Sequence, residues 1–278
     1  MRLVAIGYST VEAIPLYHVS SGGSSLRLVV AGGEDLGIDC DWAEVCSIAR
    51  ASMGEGVEVS PARVAGYASR WRVDVVMLDG VEPLRRVEGG SLEQIAGKTL
   101  LGARSQDPLE ADTSLVSFML VDHVEPLGGR VPTHRLVMGI ERLKRAGVHV
   151  EVATYLEEPR YEEIIPLAEA VGGYPLHVYI RDPRRGLPSF IERLSRRVPY
   201  AYIHAGPHSR LDTTCPRCRA ILATRSEGAL QRTILKGPVC PRCGARVPVL
   251  GRVYESTPSR LYVVSRGGTE WIHPARLG

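Results

Sequence analysis

Asparagine is absent from the sequence, and lysine occurs only at Lys98, Lys144 and Lys236, although Lys and Arg together number 34. Asparagine is a thermolabile residue, and the planar guanidinium of arginine forms persistent, multidentate ion pairs. These two biases indicate a thermophilic source, while genomic base composition is an alternative cause of the arginine excess.

Long apolar runs are also missing, since none reaches the roughly 18–20 residues that a membrane-spanning helix needs. The first residues, MRLVAIGYSTVEAIPLYHV, contain neither the long apolar core nor the small-residue cleavage site of a signal peptide. We therefore expect a cytoplasmic protein that does not act at a membrane.

Cysteine is scarce, but four of the six cysteines form two Cys-x-x-Cys pairs separated by residues 219–239. The pairs are Cys215 with Cys218, in CPRC, and Cys240 with Cys243, in CPRCG. In a reducing compartment this spacing indicates a metal site more often than disulfides. We predict a structural Zn²⁺ site with four thiolate ligands, and iron in a rubredoxin-like site is the chemical alternative. Four protein ligands leave no open position for a substrate.

The formal charge of +3 is unevenly distributed, because basic residues are concentrated around these cysteines. Only two acidic residues, Asp212 and Glu227, lie between positions 206 and 252. Nine basic residues lie in the same stretch: Arg210, Arg217, Arg219, Arg225, Arg232, Lys236, Arg242, Arg246 and Arg252. A nucleic-acid partner is one explanation, and a solvated arginine-rich surface is the other.

Short apolar segments alternate with helical patterns along the first two thirds of the chain. VDVVML at 73–78 is an apolar run apart from Asp74, as buried parallel strands are. A helix is predicted to begin at Ser60, with Val64, Ala68 and Trp71 on its buried face. Alternating strands and helices predict βαβ units and a parallel sheet, either open or partly closed into a barrel.

Several segments share the motifs of one enzyme family. They are IPLYHV (14–19), LKRAGVHVEVATYL (143–156), PLHVYI (175–180), YAYIHAGP (200–207), ILATRSEG (221–228) and the two cysteine motifs. Together they resemble radical-SAM proteins related to pyruvate formate-lyase activating enzymes, over roughly residues 14–250. The resemblance implies an α/β fold with a partial (β/α) TIM-like barrel over 1–205. A small β zinc ribbon over 206–250 and a tail over 251–278 would follow.

The cluster motif of that family is degenerate here. Aligned on IPLYHV without gaps, its three cysteine positions fall on Gly33, Gly37 and Cys40. Starting the motif at Cys40 places Glu44 and Ser47 at the other two positions. A [4Fe–4S] cluster that activates S-adenosylmethionine needs three thiolates. The resemblance therefore implies that both the cluster and S-adenosylmethionine are absent, and Cys40 is either a residual ligand or a buried free cysteine.

A second family feature is the Glu-Pro pair that ends the cofactor-binding loop, retained here as Glu82-Pro83 in LDGVEPL. Glu82 would bind an amino group of a retained nucleoside, or it would cap the next turn. GGEDLG at 32–37 lacks the Lys-Ser/Thr of a phosphate-binding P-loop and is interpreted as a relic of the cluster loop. Gly33, Gly37, Cys40 and Glu82 are thus the degenerate cofactor positions.

Other titratable residues lie on predicted strands. Asp122 and His123 are a candidate proton-transfer pair. Glu151 is expected inside a strand with a buried partner, or pointing between helices. Three histidines either line a barrel mouth or have satisfied structural roles, which is the favoured interpretation: His18, His149 and His177.

Three functional hypotheses follow. The first is a non-catalytic, cluster-less relative of radical-SAM enzymes that binds an unknown partner protein or a small molecule. The second is an active radical-SAM protein that takes cluster ligands from elsewhere. The third is a nucleic-acid-binding protein led by the basic ribbon, with Arg217, Arg219 and Arg242 in contact with phosphates.

Overall fold

The computed structural model describes residues 1–35, 42–124, 131–226, 228–261 and 268–277. The strands are, in chain order, β1 (Arg2–Thr10), β2 (Ser24–Val30), β3 (Val57–Glu58), β4 (Val75–Asp79), β5 (Leu100–Ser105), β6 (Phe118–His123), β7 (His149–Leu156), β8 (Leu176–Ile180), β9 (Ala201–His204), β10 (Thr213–Thr214), β11 (Ile221–Ser226), β12 (Ala229–Thr233) and β13 (Thr269–Ile272). The helices are α1 (Glu44–Ser52), α2 (Pro61–Trp71), α3 (Gly89–Ala96), α4 (Thr133–Arg145), α5 (Ile165–Val171) and α6 (Leu187–Arg197).

A mostly parallel sheet forms the centre of the molecule. Strands β2 and β4 to β9 lie side by side in chain order, and each pairs with the next in parallel. At one edge β1 pairs antiparallel with β2, and both β3 and β13 pair antiparallel with β1. The predicted α/β class is confirmed. Among the described strands, the outermost ones, β13 and β9, do not pair with each other, so a closed barrel is not observed.

Helices α2 to α6 cover one face of the sheet, whereas α1 packs on the opposite face. Helix α2 begins as predicted, because the Ser60 hydroxyl accepts a hydrogen bond from the backbone amide of Arg63. Val64 and Ala68 are buried in the core beneath it. The prediction for Trp71 is wrong, since this side chain is 42% exposed and packs edge-to-face on Tyr8. The helix ends at Trp71, and Arg72 after it takes a left-handed conformation that redirects the chain.

The opposite face of the sheet is covered by the chain itself. The segment after β1 crosses this face and buries Val11, Ile14, Leu16 and Val19 against Met77, Phe118 and Leu120. Because both faces are covered, most residues of the central strands are apolar on both sides, which accounts for the apolar runs in the sequence.

The cysteine region forms a separate, three-stranded antiparallel sheet of β10, β11 and β12. Its small core includes Leu222, Leu235 and Val247, and it continues into Tyr17 and Tyr202 of the main sheet region. The C-terminal segment adds β13 to the main sheet, so that part of the predicted tail is a strand. No helix in the described parts of the chain has the length and apolar character needed to cross a membrane.

Candidate metal centre and a buried polar face

The four ribbon cysteines converge on one point. The Sγ atoms of Cys215, Cys218, Cys240 and Cys243 lie within 4.8 Å of one another, and none of the four is in a disulfide. The Sγ atoms are 3.6 Å apart for Cys215 and Cys243, and 3.7 Å apart for Cys218 and Cys240. Four thiolates at about 2.3 Å from a tetrahedral zinc would be separated by about 3.8 Å. The donor set therefore fits a metal such as zinc.

The backbone of the two knuckles explains this convergence. Arg219 and Gly244 each donate a backbone hydrogen bond to the first cysteine of their pair, at 3.0 and 2.9 Å. Both residues have positive φ angles, of 58° and 70°. Glycine adopts this left-handed conformation without strain, as at Gly244, and Arg219 adopts it despite its side chain. Burial opposes ionisation of Cys215, but backbone amides at Cys218 and Arg217 lower its pKa to about 6.

The ribbon arginines divide into two groups. Arg217, Arg219 and Arg242 are exposed and could reach a phosphate backbone. The predicted nucleic-acid contact through them stays a prediction. Arg225 is buried and holds the ribbon to the main sheet region. Its guanidinium donates to the backbone carbonyl oxygen of Tyr17 at 2.9 Å, and its Cζ lies 4.5 Å from the Tyr17 ring centroid.

Two of the four degenerate cofactor positions are described, and the chain itself contacts both. Gly33 lies against the end of α1, where a Cβ atom would come within 1.8 Å of the Ser52 hydroxyl. The carboxylate of Glu82 accepts hydrogen bonds from the backbone amides of Gln106 and Asp107, at 2.6 and 2.7 Å. The side chain makes no capping hydrogen bond to the turn that follows it, Pro83–Arg86, so the turn-capping expectation is wrong. Glu82 instead binds the loop after β5, and its predicted contact with a nucleoside stays a prediction. Gly37 and Cys40 lie outside the described residues.

A chain of buried charges runs from the middle of β2 across the carboxyl ends of β4, β5 and β6. Arg27 donates from Nε to Asp79 at 2.7 Å, and Arg104 donates from Nε to the other oxygen of Asp79 at 2.9 Å. Both oxygens of Asp122 accept from Nη1 of Arg104 at 3.0 Å. Burial opposes ionisation of Asp79, but Arg27 and Arg104 hold its pKa below the usual value. The carboxylate of Glu44 in α1 accepts a hydrogen bond from Nη1 of Arg27 at 2.5 Å.

This chain was missed by sequence reasoning, although its signal was visible: a charged residue near the carboxyl end of each apolar strand. Asp122 and His123 do not form a pair, because adjacent strand residues point to opposite faces. Asp122 contacts Arg104, whereas His123 Nδ1 lies 2.8 Å from the Thr154 hydroxyl on the neighbouring strand.

A second polar cluster surrounds Glu151, which is fully buried as expected. Its carboxylate accepts from the backbone amides of Tyr17 and His18 at 2.9 and 2.8 Å. His177 Nε2 lies 2.9 Å from it, and His149 Nε2 lies 3.5 Å away. Burial opposes the charge of Glu151, but contacts with His149 and His177 lower its pKa well below the usual value.

The three candidate histidines thus belong to one cluster. His18 completes it on the ribbon side, since its Nε2 lies 2.7 Å from the Tyr202 hydroxyl and its Nδ1 lies 3.2 Å from the carbonyl oxygen of Pro248. His204, which sequence reasoning did not single out, extends it, because its Nε2 lies 3.1 Å from His177 Nδ1.

No protein-family model matches the chain, and no curated protein matches it. The relation to radical-SAM proteins therefore rests on the sequence motifs. The geometry shows four cysteines that could hold one metal ion, and a sheet face on which buried charges of the chain pair with one another.

Proposed function

We propose that this chain is a radical-SAM-related zinc-ribbon protein without radical chemistry, which acts as a scaffold for a partner protein or a small molecule in the cytoplasm. The buried charge chain of Arg27, Asp79, Arg104 and Asp122 carries the proposal. Ligand sites of parallel α/β folds lie at the carboxyl ends of the strands. In this protein, charges from the chain itself are paired with one another at that place.

The cysteine content supports the same proposal. Six cysteines occur in the sequence, and the ribbon accounts for four of them, which leaves Cys40 and Cys46. An S-adenosylmethionine-cleaving cluster needs three thiolates from the protein and keeps one iron free for the cofactor. An active radical-SAM protein would therefore have to recruit a ligand that this chain does not supply as a thiolate.

The winding of the sheet agrees with the proposed ancestry. The parallel strands follow one another in chain order, which is how a (β/α) barrel is wound, whereas doubly wound sheets reverse their order near the middle. We interpret the sheet as a partial barrel in which the segment after β1 fills the inner face.

Metal and acid-labile sulfide analysis tests the proposal on protein purified and reconstituted without oxygen. We expect about one zinc per chain and no sulfide, because four thiolates of this geometry suit one tetrahedral ion. S-adenosylmethionine should leave the melting temperature unchanged, since a ligand that binds the folded state raises it.

Two cysteine variants sharpen this experiment. Cys215→Ser should lose most of the zinc, whereas Cys46→Ser, which alters a cysteine outside the ribbon, should keep it. About four irons with matching sulfide would contradict the proposal, because the chain would then hold a cluster of the kind that the cysteine count argues against.

A further inference from the structure

A cavity of about 280 Å³ opens beside the carboxyl ends of β8 and β9. Tyr17, Trp42, Tyr179 and His204 line it, together with Glu12. Its volume is at the small end of the range for ligand pockets, so it suits a single compact molecule rather than a dinucleotide. Neither the ribbon cysteines nor the residues of the Arg27–Asp122 charge chain line it.

Aromatic rings form the wall of this cavity. The rings of Tyr179 and His204 are stacked with centroids 4.1 Å apart and planes at 12°. Tyr155 extends the stack, with its centroid 5.1 Å from that of Tyr179. Tyr17 lies at a tilt to His204, with centroids 5.8 Å apart. Surfaces of this kind favour flat rings as ligands, because offset and edge-to-face contacts add to apolar burial.

The hydrogen-bond chain behind His204 fixes which of its nitrogens carries a proton. Glu151 accepts from two backbone amides and is ionised, so His177 Nε2 donates to it. In a neutral imidazole only one nitrogen carries hydrogen, which makes His177 Nδ1 an acceptor. His204 Nε2 must then donate to His177 Nδ1. The remaining nitrogen of His204, Nδ1, therefore has a free lone pair, and no described residue donates to it.

Glu12 provides a second unsatisfied group on the same cavity. Its Oε1 accepts from the backbone amide of Gly22 at 2.7 Å and from the Ser21 hydroxyl at 3.1 Å. Its Oε2 is buried and has no hydrogen-bond partner among the described residues. A buried polar atom without a partner costs about 1–3 kcal/mol, so the Glu12 carboxylate is an incompletely satisfied group among the lining residues.

We propose that this cavity binds a small flat heteroaromatic molecule that carries an N–H donor, and that Nδ1 of His204 accepts that hydrogen. His177 and Glu151 are positioning residues, since they hold the His204 ring in the tautomer that leaves Nδ1 unprotonated. This inference goes beyond the proposed function, because it uses neither the zinc site nor the radical-SAM ancestry. Zinc content tests the proposed function, whereas binding of a flat heteroaromatic ring tests this inference.

Isothermal titration with benzimidazole and 1-methylbenzimidazole tests the proposal. The two probes share one ring system, but only benzimidazole has an N–H donor. The wild-type protein should bind benzimidazole about tenfold more tightly, as the loss of one buried hydrogen bond predicts. In His204→Phe, which keeps a ring stacked on Tyr179, the two probes should bind equally.

His208→Phe is the matched control, since His208 is exposed and does not line the cavity. This variant should keep the wild-type preference for benzimidazole. Equal binding of the two probes to the wild type, absence of binding at millimolar concentration, or a preference that survives in His204→Phe would each overturn the proposal.

Nitrogen NMR of the wild-type protein gives a test that does not depend on a variant that folds. Long-range ¹⁵N–¹H correlations should show Nδ1 of His204 unprotonated in the free protein. Its ¹⁵N shift should move on addition of benzimidazole and stay in place with the methylated probe. A protonated Nδ1 in the free protein would contradict the hydrogen-bond chain on which the proposal depends.

Discussion

At the scale of single residues, burial decides the protonation of the histidines. His18 is buried among Tyr202, Pro248 and Tyr200, and both of its ring nitrogens have polar neighbours. Burial lowers the pKa of His18 from 6.5 to about 3. The folded protein thus holds this ring neutral over a pH range in which the unfolded chain protonates it.

The consequence is an acid-sensitive contribution to stability. Between the unfolded pKa of about 6.5 and the folded pKa, the unfolded state binds one more proton at His18 than the folded state does. This contribution therefore falls with falling pH, at about 1.4 kcal/mol per pH unit. His18→Gln should remove it, so that the free energy of unfolding by urea depends less steeply on pH between about pH 4 and 6.

His208→Gln is the control for this measurement, because it makes the same substitution at an exposed histidine. A His18→Gln slope equal to that of the wild type would show that His18 takes up its proton without unfolding. Comparison of slopes, rather than of absolute stabilities, separates this residue from the other buried groups that titrate in the same range.

The sequence pattern predicted the four cysteines of the candidate metal site, but it did not predict most partners of the buried charges. A Cys-x-x-Cys turn determines its own geometry within a few residues, so Cys215 and Cys240 could be assigned from spacing. Glu82 instead contacts backbone amides that follow β5, and Asp122 contacts Arg104 on the neighbouring strand. Such contacts depend on strand order and register, which no local pattern contains.

At the scale of elements, two glycines show how differently the same residue is used. Gly66 lies in the middle of α2, where an added Cβ atom would meet no atom within 4 Å. Gly7 lies on β1 opposite β13, where a Cβ atom would come within 2.4 Å of the Thr269 methyl group and 2.8 Å of the Trp271 ring. The first glycine weakens its helix, whereas the second allows close pairing of two strands.

Alanine substitutions should therefore have opposite effects at these positions. Gly66→Ala should stabilise the protein by about 0.5–1 kcal/mol, because alanine loses less conformational freedom in a helix. Gly7→Ala should destabilise it and should speed hydrogen exchange of the Ile272 amide in β13. Chemical denaturation of both variants measures the sign, and destabilisation by Gly66→Ala would contradict the open surroundings described for α2.

The elements themselves were partly predictable. The apolar runs predicted strands correctly, and the Ser60 cap predicted the start of α2, because these signals arise within each element. Trp71 was assigned to the core by helical periodicity, but the helix ends there and the side chain packs on Tyr8. The pairing of β13 with β1 joins opposite ends of the chain, so only tertiary packing determines it.

At the scale of the whole molecule, three cores are joined through a few residues. One core lies beneath the helices, one lies under the segment after β1, and one lies within the ribbon. The ribbon core shares Tyr17 and Tyr202 with the sheet region. Arg225 and Pro248 form hydrogen bonds with Tyr17 and His18 in the segment after β1. The metal centre and the Glu151 cluster are therefore coupled through residues 17–21.

Loss of the metal should uncouple the ribbon before it unfolds the sheet. The ribbon has few buried apolar residues of its own, so its fold depends on the metal, whereas the sheet has two larger cores. Cys215→Ser, or a chelator acting on the wild type, should leave most of the far-ultraviolet circular dichroism intact.

The tyrosine signals in the near ultraviolet should change, because Tyr17, Tyr200 and Tyr202 lose their packing against the ribbon. Hydrogen exchange should quicken in β10 to β12 and at the amides of Tyr17 and His18, yet stay slow in β4 to β6. A collapse of the whole far-ultraviolet signal would instead mean that sheet and ribbon fold as one cooperative unit, with the metal as part of its core.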